Sequence, residues 1–264
     1  EGVPRSGKSF DAVKSHILPA LKKGRRVFAR INGLDHEKIA SYLAMPVDRV
    51  RELLVHVTTE QVKSIFVAED TGDGWTLRDE LKNALFVIDE CHEFYVASRE
   101  PLPAPVENFF ALHGQNGMDG VIMSQYYKRI HGALRGRIER KNVFQKATAV
   151  GLKGNYFQTY YVTITPDKYQ KIGTEQKGYD PSIFPLYKGY ADGVDTTEVY
   201  KSGGKTVWSA MKWRAIIAVP LFIFGGVFLW RFFHGKESLV KSTAIGSSGQ
   251  AQLMGTDGKP SVMT

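Results

Sequence analysis

Cys91 is the only cysteine in the sequence. That excludes an intramolecular disulfide framework and a cysteine-rich structural zinc site. No internal repeat is visible, and no long apolar run occurs before residue 215. Acid is scarce in one place: between residues 126 and 155 only Glu139 carries a negative charge. The remainder is ordinary globular composition. Hydrophobic residues make up 43% of 264, which excludes a wholly disordered chain, and the length suits one large α/β domain or two small ones. The net charge of +8 points to a polyanion or an anionic membrane surface without choosing between them.

Short, charge-poor runs at Val27-Phe28-Ala29, Ala84-Leu85-Phe86-Val87-Ile88 and Val121-Ile122-Met123 have the composition of strands buried on both faces. Helix-like stretches lie between them, at Ser9 to Leu21, Asp48 to Val57 and Val106 to Leu112. The alternation predicts an α/β domain with a mostly parallel sheet flanked by helices. Tyr156 to Thr165 suits a half-buried strand. Residues 166 to 206, rich in Gly, Pro, Tyr, Asp and Lys, read as a loop-rich extension.

The chemistry begins with Gly2-Val3-Pro4-Arg5-Ser6-Gly7-Lys8-Ser9, which fits G-x-x-x-x-G-K-[ST], the Walker A phosphate loop, at every fixed position. Glycines let successive N–H groups turn inward toward phosphate oxygens, and the following helix adds its positive end. Lys8 would reach the β- and γ-phosphates of ATP, and Ser9 would ligate Mg²⁺. The expected nucleotide-binding set is Gly2, Pro4, Arg5, Ser6, Gly7, Lys8, Ser9 and Phe10. Such a loop normally follows a strand. Only Glu1 precedes it, so the chain is expected to lack its first strand, the one that should come before Gly2.

Asp89 and Glu90 end the apolar run 84–88 in the Walker B manner. Asp89 would hold Mg²⁺, and Glu90 would orient and deprotonate the attacking water. Gln125, at the end of the run 121–123, suits a γ-phosphate sensor, although a polar loop residue would look the same. Cys91 and His92 follow the acids directly and read as structural, since nothing else supports a thiol enzyme.

Positive charge is concentrated. Lys128, Arg129, Arg135, Arg137, Arg140, Lys141, Lys146 and Lys153 against Glu139 give a net +7 of the total +8. With Tyr126, Tyr127, Phe144 and Tyr156 around them, these residues suit single-stranded nucleic acid, for which Lys128, Arg129, Arg135, Arg140 and Lys141 are the candidates. A solvated helix face is the plainer reading. A third is an arginine that completes a neighbouring subunit's ATP site in a homo-oligomeric ring, with Arg137 the catalytic candidate beside Arg135 and Arg140.

Residues 215 to 230 carry no charge. Extended to 213–233, with Trp213 and Trp230 at its ends and Arg214 and Arg231 snorkelling, the segment predicts a single membrane span. A buried core helix is the alternative. Residues 234–264 read as a polar, flexible tail. The expected organisation is thus an ATPase core at 1–165, an extension and linker at 166–212, a span at 213–233 and a tail at 234–264.

Three segments together carry a resemblance: G-V-P-R-S-G-K-S (2–9), L-F-V-I-D-E-C-H-E-F (85–94) and H-G-Q-N-G-M-D-G-V-I-M-S-Q (113–125). In this order, followed by a basic stretch and a late apolar segment, they resemble the zonular occludens toxin family, which includes filamentous-phage assembly ATPases. The resemblance implies a RecA-like core of the FtsK–HerA type and an inner-membrane protein with its ATPase in the host cytoplasm and its tail in the periplasm. It implies assembly and extrusion of filamentous phage with single-stranded DNA, with coat proteins and an outer-membrane secretin as partners. Leu112 departs from the arginine common before His113, and Ser124 from the threonine usual before Gln125. Two rivals to a membrane-anchored motor stay open. One is an effector acting through its tail on epithelial tight junctions. The other is a soluble P-loop NTPase.

Overall fold

The computed structural model describes residues 1–152, 154–188, 216 and 218–233. Two compact units divide the chain, Glu1–Gly204 and Lys205–Thr264. Strands in the first unit are β1 Val27–Arg30, β2 Leu54–His56, β3 Glu69–Asp70, β4 Trp75–Thr76, β5 Leu85–Ile88, β6 Asp119–Ile122, β7 Arg140–Lys146, β8 Asn155–Thr165 and β9 Lys168–Gly178. Four of them form a sheet in the order β2-β1-β5-β6, parallel at every pairing. β7, β8 and β9 form an antiparallel sheet, and β3 pairs with β4.

The parallel sheet is explained by its side chains. Residues alternate between faces along a strand, and both faces here are apolar. Val27, Ala29, Leu85 and Val87 enter one core with Phe10, Ile17 and Leu21. Phe28, Phe86 and Ile88 enter the other with Phe66, Phe109 and Phe110. Burying each large side chain stabilises the fold by about 1.5–3 kcal/mol. The first core is roofed by a continuous helical stretch, Lys8–Asp11, Ala12–Ile17 (a π segment) and Leu18–Lys22, and by the helix His36–Leu43. Asp35 caps the latter, accepting from the amides of Glu37 and Lys38 at 3.1 Å each. Ala104–Leu112 covers the second core. The expected α/β domain with a helix-flanked parallel sheet is therefore present.

Two expectations need correction. The helix expected at Asp48–Val57 is Val47–Leu53 followed directly by β2, because Leu54, Val55 and His56 pair in parallel with Val27, Phe28 and Ala29. The loop-rich extension expected from residue 166 instead begins with β9, paired along β8 after a two-residue turn at Pro166–Asp167. The chain then returns to the first core, where Ile183 and Leu186 are buried. Pairing to a long neighbour outweighed the polar composition of 168–178.

The apolar segment is described in part. Residues 216 and 218–233 are helical and exposed. Among the described residues no helix is long and apolar enough to cross a membrane. At about 1.5 Å per residue, 218–233 reaches about 24 Å against a hydrocarbon core of about 30 Å. Residues 213–215 and 217 of the expected span, and the tail 234–264, lie outside the described residues.

Glu1 and Gly2 join the two sheets. The Gly2 amide donates to the Ser124 carbonyl, just past β6, at 3.3 Å. On the other side the Phe144 amide of β7 donates to the Glu1 carbonyl at 2.8 Å, and Gly2 pairs in parallel with Phe144.

Candidate functional site: the phosphate loop and the strand ends

The loop 2–9 sits at the C-terminal ends of β5 and β6, where parallel α/β sheets place their ligands. Two glycines shape it. A Cβ on Gly2 would lie 2.6 Å from both the Phe144 carbonyl oxygen and Ser6 Oγ, so only hydrogen fits. Gly7 has φ +107°, a left-handed conformation that turns the chain into the helix beginning at Lys8.

Lys8 is buried and its Nζ donates to the loop's own carbonyls, Gly2 at 2.7 Å and Val3 at 3.2 Å. Burial pulls its ammonium below the usual lysine range, while the nearby Glu90 and Asp89 oppose the shift. Ser6 Oγ is buried with no hydrogen-bond partner among the described residues. A tight turn, a buried cation and a buried hydroxyl together make a cradle for anionic oxygens.

Asp89 and Glu90 follow β5 directly. Ser9 Oγ donates to Asp89 Oδ2 at 3.1 Å, which ties the loop's helix to the strand end. The other Asp89 oxygen accepts from the Glu90 amide at 2.9 Å. Burial, reinforced by the charge of Glu90, pushes the Asp89 carboxyl above its usual range, against the bonds from Ser9 and the Glu90 amide. A hydroxyl and a carboxylate oxygen side by side suit Mg²⁺, which takes one or two carboxylates and completes its shell with phosphates and water.

Glu90 holds φ +49°, a strained conformation for a non-glycine residue and one that collects at functional sites. Gln125 Nε2 donates to Glu90 Oε1 at 2.8 Å. Glu90 Oε2 is buried without a hydrogen bond, although His92 Nδ1 lies 3.3 Å away. His92 Nδ1 and Ser124 Oγ are 3.1 Å apart. The structure thus brings Lys8, Ser9, Asp89, Glu90 and Gln125 to one place. His92 and Ser124 belong to the same cluster, which spacing alone did not reveal.

Other expected residues lie elsewhere. Pro4 and Arg5 are exposed on the loop. Phe10 is a core residue, 1% exposed, with ring centroids of Tyr179 at 5.2 Å, Phe184 at 5.4 Å and Tyr156 at 6.1 Å. Its side chain anchors the loop's helix and is not available to a nucleotide. Cys91 is buried, and burial pushes its thiol up, which fits the structural reading.

The basic stretch does not act as one surface. Arg135 pairs with Asp167 at 3.2 Å and lies over the Tyr127 ring. Arg137 donates to the Ala133 carbonyl at 2.6 Å and lies 3.6 Å from Glu107. Lys141 Nζ sits among three rings, Tyr169 at 4.6 Å, Tyr127 at 4.9 Å and Tyr161 at 5.1 Å. Arg135 and Lys141 are therefore committed inside the chain, contrary to their expected place on a nucleic-acid surface. Lys128, Arg129 and Arg140 are exposed.

The model of one family, zonular occludens toxin (Zot), matches residues 1–194. The chain belongs to this family. Within the matched Zot residues fall the loop, Asp89, Glu90, Gln125 and all three strands of the antiparallel sheet. Among its relatives is the Gene 1 protein of Xanthomonas phage phiLf, 56% identical over 235 residues that make 89% of this chain and 53% of that protein. The Zona occludens toxin of Vibrio cholerae serotype O1 (strain ATCC 39315 / El Tor Inaba N16961) is 26% identical over 255 residues, 86% of this chain and 57% of that one. The chain thus spans about half the length of these curated relatives. Similar solved structures include the N-terminal domain of zonular occludens toxin from Neisseria meningitidis, at 17% identity, 71% of this chain, 95% of that chain and TM-score 0.45. Another is the genome packaging NTPase B204 of Sulfolobus turreted icosahedral virus 2 in complex with AMPPCP, at 11%, 64%, 93% and 0.42.

Proposed function

We propose that this chain is the ATP-hydrolysing part of a RecA-like, membrane-anchored motor that assembles and extrudes filamentous phage from a bacterial host. The observation that carries the reading is the Ser9–Asp89 hydrogen bond of 3.1 Å, which sets the phosphate loop directly against the two acids that end β5.

In this reading the ATP phosphates enter the cradle and Lys8 Nζ leaves the Gly2 and Val3 carbonyls for β- and γ-phosphate oxygens. The Ser9 hydroxyl and the Asp89 carboxylate would hold Mg²⁺, which would supply charge neutralisation at the phosphates. Glu90 orients a water and takes its proton as the water oxygen bonds to the γ-phosphorus. The bond from that phosphorus to the β–γ bridging oxygen breaks, leaving ADP and phosphate. Before ATP binds, Gln125 holds Glu90, and it senses the γ-phosphate when ATP arrives.

The finer parts of the proposal are an inner-membrane anchor, a ring, single-stranded DNA as load, and coat proteins and an outer-membrane secretin as partners. Exposed apolar side chains in the helix at 218–233 support the anchor, with Phe222 at 86% and Phe224 at 80% exposure. Such a segment in water is a liability unless lipid or another surface covers it. Release of the protein from membranes by carbonate wash would remove the anchor.

The deciding experiment is ATP hydrolysis with and without single-stranded DNA, in the unmodified chain and in Glu90→Gln. Hydrolysis that DNA stimulates and the variant loses by about a hundredfold or more supports the motor. Absent hydrolysis, or a variant as active as its parent, ends the reading.

A further inference from the structure

One carboxylate oxygen in the site is buried and unused. Glu90 Oε1 accepts from Gln125 Nε2 at 2.8 Å, whereas Oε2 accepts no hydrogen bond among the described residues. A buried charged oxygen left bare is costly, and such atoms collect where catalysis uses them. His92 Nδ1 stands beside it at 3.3 Å.

The backbone carries His92 to that place. The left-handed turn at Glu90, with φ +49°, sends the chain into the single 3₁₀ turn Cys91–Glu93. The Cys91 amide donates to the Met123 carbonyl at 2.8 Å, which pins the turn just past β6. His92 and Ser124 are thereby buried side by side.

Ser124 decides which way the ring is protonated. Its Oγ accepts from the Tyr126 amide and donates to the Tyr126 carbonyl, each at 3.1 Å. A carbonyl only accepts, so the single hydroxyl proton is already used. The remaining lone pair of Ser124 Oγ faces His92 Nδ1 at 3.1 Å. Two acceptors, Ser124 Oγ and Glu90 Oε2, therefore face one ring nitrogen, and that nitrogen must carry a hydrogen. In this structure the N–H goes to Ser124, and Glu90 Oε2 is a small ring rotation away.

We propose that His92 is a positioning residue for Glu90, passing its Nδ1–H from Ser124 Oγ to Glu90 Oε2 when Gln125 turns to the γ-phosphate. The inference rests on Glu90 being the base of the proposed hydrolysis. Each carboxylate oxygen then has one task. Oε2, held by His92, fixes the plane of the group. Oε1, released by Gln125, takes the proton of the attacking water. The histidine proton stays on its nitrogen throughout. Without the hand-over Glu90 would lose its side-chain anchor just as the water must be aligned, and misalignment slows proton transfer more than it weakens ground-state binding.

The test pairs His92→Leu with His92→Asn, side chains of nearly one shape, of which only asparagine offers a donor near the place of Nδ1. His92→Leu is expected to lower kcat for ATP by about tenfold to a hundredfold, with KM and the affinity for a non-hydrolysable analogue within about twofold of the parent. His92→Asn should recover about a third or more of the parental kcat. In a Glu90→Gln background His92→Leu should cost less than about twofold, because no base is left to position. One readout needs no variant to fold. In the unsubstituted chain the Nδ1 proton resonance of His92 should move downfield when the analogue and Mg²⁺ are added, as the bond passes from a hydroxyl to a carboxylate. Equal turnover of His92→Leu and the parent overturns the inference, as does an equal loss in both backgrounds or an unmoved resonance. If Glu90→Gln is inactive while His92→Leu keeps full turnover, only the role of His92 falls. If Glu90→Gln matches the parent, the base and its positioning residue fall together.

Discussion

Gln125 donates its side-chain amide to Glu90 Oε1 at 2.8 Å, across two adjacent parallel strands. The bond occupies one oxygen of the proposed base and leaves the other, buried, facing His92 at 3.3 Å. Glu90 also holds a left-handed backbone, so its side chain has few alternative positions. Gln125→Ala should therefore lower kcat by about tenfold to a hundredfold while leaving nucleotide affinity near that of the parent. Steady-state hydrolysis beside equilibrium binding of a non-hydrolysable analogue checks this. A variant that loses binding in proportion to turnover would put Gln125 in ground-state contact with nucleotide instead.

Lys8 makes its bonds to the loop's own carbonyls, at 2.7 and 3.2 Å. Those bonds hold the cation in place for phosphate and also close the loop on itself. Lys8→Ala should weaken nucleotide binding by at least a hundredfold, because the charge most central to the cradle is gone. The fold should survive, since the buried ammonium costs desolvation that alanine avoids. Binding measured by calorimetry, with circular dichroism as the control, separates the two effects. Unimpaired binding in a folded variant would remove the loop from nucleotide recognition.

Asp89 contributes to the pH response. Burial and the charge of Glu90 hold its carboxyl above the usual range. A carboxyl that binds its proton more tightly folded than unfolded gains stability for the fold as pH falls through the raised value. That stability is lost as pH rises from the unfolded value of about 3.9 toward the folded one. Asp89→Asn should then stabilise the nucleotide-free protein at neutral pH and flatten this part of the profile. It should also abolish Mg²⁺-dependent nucleotide binding. Tm followed from pH 4 to pH 8 in both proteins tests the claim, and identical profiles would sink it.

How much of this was legible depends on where each residue's partner lies. β5 was readable because Leu85, Phe86, Val87 and Ile88 are all buried, and a strand apolar on both faces has a charge-free sequence. The loop was readable because its spacing is the chemistry itself. β2 was not, because Val50 to Val55 runs on without a breaker and only pairing with β1 ends the helix at Leu53. β9 was hidden by Lys168–Gly178 being polar on both faces, with Pro166–Asp167 the one turn signal. Phe10 looked like part of the site from its neighbours in sequence, yet its ring partners Tyr156, Tyr179 and Phe184 come from far along the chain.

Phe10 gives a stability prediction that separates anchoring from binding. Its ring is 1% exposed and touches three aromatic rings at centroid distances of 5.2 to 6.1 Å. Phe10→Ala should cost about 3–5 kcal/mol. Phe10→Leu, which keeps most of the volume, should cost less than half as much and preserve nucleotide binding. Denaturant unfolding of both variants decides. If Phe10→Leu folds normally but loses binding, the ring belongs to the site after all.

Lys141 and Arg140 are neighbours in β7 with opposite fates, which sequence density of charge conceals. Lys141 lies within 4.6–5.1 Å of three tyrosine ring centroids, and one of them, Tyr127, bonds Asp167 and, at 2.8 Å, Tyr169. Register places Lys141 opposite Tyr161 on β8, so the cage staples β7 and β8 to the turn Tyr127–Arg129. Arg140 has a side chain 78% exposed, and its one ion-pair partner among the described residues is Glu139 at 3.7 Å. Lys141→Ala should then cost about 1–2 kcal/mol of stability through lost cation–π contact and leave single-stranded DNA affinity unchanged. Arg140→Ala should do the reverse: no change in Tm, weaker DNA binding, and a salt dependence shallower by about 0.7 in log–log slope for a single phosphate contact. Thermal unfolding and DNA binding titrated between 50 and 200 mM salt read out both variants. DNA affinity that falls with Lys141→Ala but not with Arg140→Ala would place the nucleic-acid contact in the cage and overturn this assignment.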